Sequence, residues 1–169
     1  MTTVTTLRGA RLVDYTRSTA RSHQFPGFGD RVMSFLREPS DSRCLVVVDR
    51  GYMMRQQASH VVRDHLNLTG TNPLVGPNDP CGERFPSVND VYITDLCPDL
   101  PRGVAAGLMA GVFPTREEME FLRSLGADFC CYNLVPTMIV AAHAGLKVLG
   151  LVVPEGVHVD PVLDVVLGS

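Results

Sequence analysis

Between Val104 and Val153 the chain alternates apolar strand-like runs with helix-like segments, and this alternation restricts the possible folds more than any other feature. Val104–Ala110 is apolar and rich in small residues that permit close approach of a neighbour. Thr115 and Glu118 stand at capping-box spacing behind Pro114, Met119, Leu122 and Leu125 form an apolar stripe, and Gly126 ends the helix. Phe129–Tyr132 reads as the next strand, Pro136 opens a helix that runs through His143, and Lys147–Val153 is a further strand after Gly145. Strand, helix, strand, helix, strand within about 50 residues is the α/β pattern, which predicts parallel crossovers with sites at the strands' C-terminal ends.

Upstream, Cys44–Val48 is a short β-branched run that reads as a buried strand, with Asp49 beginning the loop at its end. His60–Leu68 is another strand, closed by Thr69 and Gly70. From Thr69 to Pro101 the chain is rich in Gly, Pro, Asn and Asp, and a loop of that length serves a site or an interface. Residues 1–43 carry scattered arginines (Arg8, Arg11, Arg17, Arg21, Arg31), the turn-rich stretch Gln24–Asp30 and only weak periodicity. At 169 residues the chain is read as a single domain.

A net charge of −3, without any Lys/Arg stripe, argues against nucleic-acid binding. No apolar run reaches the roughly 18 residues a membrane span needs, and Met1–Thr6 lacks the features of a signal peptide, so a cytoplasmic protein is expected. Cys44, Cys81, Cys97, Cys130 and Cys131 have no chelating spacing, so reduced thiols and no metal or cofactor are expected.

Several blocks of the chain are long and non-repetitive: Arg63–Gly70, Asn72–Asp79, Arg84-Phe85-Pro86, Leu125–Asp128, Val135-Pro136 and His143–Gly150. Taken in order, they resemble the trimeric purine nucleoside phosphorylase family from about Cys44 to Gly156, with residues 1–43 divergent. The resemblance implies an α/β fold around a mixed, largely parallel sheet flanked by helices, a homotrimer, and phosphorolysis through an oxocarbenium-like sugar and a departing purine anion. It also implies a phosphate cradle built from a Gly-rich Ser loop, a His and an Arg-x-His upstream of Cys44, which the shorter N-terminal region is expected to have lost. Where the family has its purine-binding Glu after a Phe, this chain has Pro114 after Phe113, and proline offers no side-chain acceptor. The family's Met-Ser pair, which lines the sugar and binds phosphate, falls on Tyr132-Asn133. The family's Asn that donates to the purine falls near Glu155-Gly156. The chain is expected to stop before the terminal helix that holds the family's sugar-contacting His.

Phe85 keeps the position that, in the family, reaches across the trimer into the neighbouring subunit's sugar site. Asp49, Arg50 and Tyr52 stand where the family has a small Ala-Ala-Gly segment against the base, so they would fill or recharge that space. The expected site is therefore Tyr132, Asn133 and Glu155 as acting groups, with Phe85, Phe113, Asp49, Arg50, Tyr52 and Cys131 binding substrate. Cys130 and Cys131 alternate on one strand, so only one faces that site. His65 beside Asp64 is read as a loop-capping polar residue, because neighbours on a strand point to opposite faces, and His143 as a packed, hydrogen-bonded histidine.

The combination reads as a repurposed small-molecule enzyme of specialised metabolism on that scaffold, its ligand uncharged or weakly polar. The alternatives are a non-catalytic ligand-binding or assembly partner of a full-length phosphorylase, and a nucleoside phosphorylase with a remodelled site.

Overall fold

The protein is described by a computed structural model, which covers residues 3–7, 10–16, 34–36, 38, 41–109 and 111–167. The strands are β1 (Thr3–Leu7), β2 (Ala10–Asp14), β3 (Cys44–Met53), β4 (His60–Leu68), β5 (Arg102–Leu108), β6 (Phe129–Cys131) and β7 (Lys147–Pro154). The helices are α1 (Arg116–Ser124), α2 (Leu134–His143) and α3 (Asp160–Leu167). The stretch Gln24–Asp30, the arginines Arg8, Arg17, Arg21 and Arg31, and Ala110 at the end of the expected third strand lie outside the described residues.

The strands close on themselves, in contrast to the open sheet expected from the α/β alternation. The circuit runs β3-β6-β5-β4-β7 and returns to β3, with the antiparallel hairpin β1-β2 added parallel to β3 at Leu45–Val48. The sheet is mixed: β3 and β7 run parallel to each other, β4, β5 and β6 run parallel among themselves, and the two sets meet antiparallel at β3–β6 and β4–β7. Closure pairs strand edges that an open sheet would leave exposed.

β3 makes the closure possible because it does not stop at Val48. It continues through Asp49 to Met53, so one edge pairs with β2 low down and with β6 at Gly51–Met53, while the other runs beside β7 from Cys44 to Gly51. Gly51 sits where both partners crowd in. A Cβ there would lie 2.3 Å from Val152 Cγ1 and 2.6 Å from the Cys130 carbonyl oxygen.

Alternation along the strands sorts the core. Leu45 and Val47 of β3 join Val148 and Val152 of β7 in a cluster with Leu134, Val135 and Met138 of α2. Val46 and Val48 join Leu149, Leu151 and Val153 in a second cluster with Val159 and Leu163, which brings in α3. α1 begins as its spacing requires, with Thr115 Oγ1 accepting from Glu118 N and Glu118 Oε2 accepting from Thr115 N at 2.6 Å, and it covers Met54, Ala106 and Cys130 through Leu122.

The Thr69–Pro101 segment contains no named helix or strand, as expected. It is tied to β7 by Val148 N donating to Val91 O and Ile93 N donating to Val148 O, 2.8 and 2.7 Å. No helix among the described residues is long and apolar enough to cross a membrane.

Candidate functional site

Asp49 is only 2% exposed, inside β3 rather than at the start of a loop. Its Oδ2 accepts from three consecutive backbone N–H groups, Tyr132 at 3.2 Å, Asn133 at 2.6 Å and Leu134 at 3.0 Å. Its Oδ1 accepts from Arg50 N at 2.9 Å and from Asn133 Nδ2 at 3.3 Å. These donors include the first N–H groups of α2, which no intrahelical carbonyl can satisfy, and a carboxylate there also complements the helix dipole. Burial pushes the Asp49 carboxyl up, against the pull of its donors. The same contact explains why α2 starts at Leu134 rather than at Pro136. The proline falls in the first turn, where a missing N–H costs nothing.

The tie brings Tyr132 and Asn133 to the end of the circuit where β3, β6 and β7 meet, with Gly51 opposite both Cys131 and Pro154. Cys131 is fully buried, and burial first, then the charge of Asp49, pushes its thiol well up, so it packs as a neutral side chain. Cys130 is buried too, with its thiol pushed to about 11 by burial, so neither cysteine of the pair presents to solvent.

Tyr132 lies just past the end of β6 and is half-buried against the cluster that contains Met54 and Cys130. Burial, followed by the charges of Cys130, Asp49, Cys131 and Glu155, pushes its phenol up to about 12. At neutral pH the phenol is therefore a hydrogen-bond donor and acceptor that holds its proton, not a base.

Arg50 donates through Nη1 to Pro154 O at 2.8 Å and to Val157 O at 2.9 Å. It staples the turn that presents the exposed Glu155, and Val157 N closes that turn on Pro154 O. Tyr52, 40% exposed, and Phe113, 69% exposed, meet edge to face with centroids 5.6 Å apart. Pro114 beside them is buried. Eight of the nine expected site residues thus belong to strands, turns and a helix end gathered at one end of the circuit.

Phe85 is the exception. It is 86% exposed and lines a groove of about 500 Å³ with His65, Asn67, Leu74, Arg84 and Ile139, whose lining includes none of the other eight. Asp64 Oδ1 accepts from His65 N at 2.8 Å, and the imidazole turns instead to Tyr92, Nδ1 to OH 3.3 Å. Burial lowers the pKa of His65, with the charge of Asp64 acting the other way. His143 is 4% exposed and hydrogen-bonded, as expected of a packed histidine. His60, not assigned a place from sequence, is buried against the Phe129 ring with Nδ1 2.7 Å from Ala58 O.

One expectation is corrected by the sequence itself. Upstream of Cys44, Arg21-Ser22-His23 has the Arg-x-His spacing and Gly27-Phe28-Gly29 a Gly-x-Gly without the Ser, so that region holds these two spacings. Both lie outside the described residues. Among the described residues no group of three or more His, Cys, Asp or Glu is placed to hold a metal ion.

No protein-family model matches the chain. It is 37% identical over 103 residues to purine nucleoside phosphorylase 1 of Bacillus subtilis (strain 168), an alignment covering 54% of this chain and 38% of that protein. Against the purine nucleoside phosphorylase of Saccharomyces cerevisiae the match is 31% identical over 166 residues, 86% of this chain and 51% of the relative. Among solved structures, the Schistosoma purine nucleoside phosphorylase in complex with hypoxanthine superposes with a TM-score of 0.61 at 23% identity, over 66% of this chain and 49% of that one. The chain thus spans from 38% to 51% of the length of these curated relatives. Carried by the sequence matches and the shared fold together, the conclusion is that this chain belongs to the purine nucleoside phosphorylase family, as a divergent member matched over part of the family's length.

Proposed function

We propose that this chain is a small-molecule enzyme rebuilt on the nucleoside phosphorylase scaffold, taking an uncharged or weakly polar ring compound where β3, β6 and β7 meet. The observation that carries the reading is the buried Pro114 beside the exposed Tyr52–Phe113 pair. At the position matching the family's purine acceptor there is no acceptor, and an aromatic wall stands next to it. Tyr132 supplies a donor that keeps its proton at neutral pH, Glu155 an acceptor, and Asn133, held by Asp49, fixes the backbone from which Tyr132 projects. A buried polar contact left unmade costs a purine about 1–3 kcal/mol in binding. The test is a coupled assay with inosine and guanosine at saturating phosphate. The reading expects no phosphate-dependent turnover above the blank, and robust turnover that requires phosphate overturns it.

A second reading, assembly with further copies of this chain or with a full-length phosphorylase, draws on a different observation. Phe85 is 86% and Val75 83% exposed around the groove beside His65, an apolar rim of the kind that a subunit contact covers. The family resemblance at Asn72–Asp79 and Arg84-Phe85-Pro86 makes a homotrimer the form to look for. Light scattering at micromolar concentration checks it: a trimer that Phe85→Ala weakens supports assembly, and a monomer rules it out.

A further inference from the structure

Away from that end of the circuit, the C-terminus of α2 meets the turn Asp79-Pro80-Cys81-Gly82. Asp79 Oδ1 accepts from Cys81 N at 3.0 Å and Gly82 N approaches Asp79 O at 3.4 Å, with proline at the second position, as such a turn favours. The turn rests directly on the helix end. A Cβ at Gly82 would lie 1.9 Å from the His143 carbonyl oxygen, so only glycine fits. Cys81 is exposed, and its Sγ lies 3.4 Å from His143 Nδ1.

Asn78 settles which imidazole nitrogen carries the proton. Its Nδ2 donates to Gly82 O at 3.0 Å, which fixes the amide's orientation and leaves Oδ1 to face His143 Nε2 at 3.1 Å. An amide oxygen only accepts, so Nε2 holds the proton, and the lone pair of Nδ1 points at the Cys81 thiol. The groups stand in the order thiol, imidazole, amide: a nucleophile against a base that a third group orients. His143 is in the last turn of α2, which holds its imidazole against the turn that carries Cys81. Around the pair, the carboxylates of Asp79 and Glu83 on the turn oppose a thiolate. Arg43, a cation, reaches with Nη1 toward Gly145 just past the helix end. The remaining thiols differ: Cys97, Cys130 and Cys131 are buried, Cys44 is half-buried, and burial raises the pKa of all four.

We propose that Cys81 is an activated thiol, with His143 as its base and Asn78 orienting that base, which exchanges with low-molecular-weight disulfides to form a mixed disulfide. His143 Nδ1 takes the Sγ proton. The thiolate attacks one sulfur of the small disulfide, the S–S bond breaks as the Cys81 Sγ–S bond forms, and the second sulfur leaves as a thiolate that recovers the proton from the imidazolium. This site does not depend on the ring-compound reading. In sequence it lies between Gly76 and Arg84, two residues that line the groove.

The test is thiol exchange of the native full chain with 5,5′-dithiobis(2-nitrobenzoate), followed from pH 5 to 9. One equivalent should react at least about tenfold faster near neutral pH than a thiol of the urea-unfolded chain, with a pH midpoint below the ordinary value of about 8.5. Cys81→Ser should remove that equivalent, and His143→Asn should return the rate and midpoint to those of an ordinary thiol. Because His143 is buried, Asn78→Ala is the second variant: it keeps the imidazole, releases its orientation, and should slow the exchange severalfold. An ordinary pH midpoint in the native protein, a fast equivalent that survives Cys81→Ser, or a rate indifferent to both His143→Asn and Asn78→Ala overturns the proposal.

Discussion

Asp49 and Asn133 are joined twice, Asn133 N to Asp49 Oδ2 at 2.6 Å and Asn133 Nδ2 to Asp49 Oδ1 at 3.3 Å, across 84 positions of sequence. The contact lets a residue in the middle of β3 set where α2 begins and where Tyr132 stands. Asp49→Asn puts an amide's own N–H groups against N–H donors. It is expected to lower the unfolding free energy by about 2–4 kcal/mol, since hydrogen bonds to a charged group are among the stronger ones and their buried donors would be left unmet. Urea denaturation measures this, and an unchanged midpoint would remove Asp49 from the account of the helix start.

Gly51→Ala tests the closure of the strand circuit. The new methyl would sit 2.3 Å from Val152 Cγ1 and 2.6 Å from the Cys130 carbonyl oxygen. Backbone cannot move aside as a side chain can, so the overpacking should cost about 1–3 kcal/mol. Thermal unfolding followed by circular dichroism reads it, and a neutral substitution would mean that β3 and β6 are not paired there.

Thr115→Ala removes one half of the box that starts α1. With Glu118 N left without its side-chain acceptor, the loss should be about 1 kcal/mol. Chemical denaturation checks it, with Thr115→Ser expected to restore most of the difference.

The Tyr132 phenol carries a pH signature. Burial holds its pKa at about 12, above the ordinary value of about 10 that the unfolded chain would show. As pH rises past 10, the unfolded state therefore loses this proton first, and stability must fall with pH in that window. Absorbance at 295 nm should show no Tyr132 phenolate at pH 10.5, judged by difference from Tyr132→Phe, and the variant should lack the corresponding loss of stability. A phenolate signal centred near 10 would place Tyr132 in open solvent.

Much of the fold is legible in local pattern. The capping box at Thr115, the glycine stops and the β-branched runs locate β4, β6, β7 and α1 closely, because each is set by residues near one another in sequence. The closed circuit is not legible that way. It depends on β3 continuing past Val48, and the charged and polar side chains of Asp49-Arg50-Gly51-Tyr52 look like loop until Gly51 is seen wedged between β6 and β7. The hairpin β1-β2 is two strands of five residues each, too short for periodicity to separate from irregular chain. Resemblance singled out Tyr132 and Asn133 as candidates, whereas the role of Asp49 as a helix cap comes from a contact between distant positions that no local motif announces. The thiol pair is a similar case, since Cys81 and His143 are 62 residues apart.

The central claim is that an uncharged ring compound is held beside Tyr132. The direct measurement is the Kd, by isothermal titration, of the tightest binder found by thermal shift in a panel of such compounds, compared between the native chain and Tyr132→Phe. Loss of one neutral hydrogen bond of about 1 kcal/mol predicts roughly fivefold weaker binding by Tyr132→Phe, with the fold retained. Equal affinity in the two proteins, or no binder in the panel, would contradict the account.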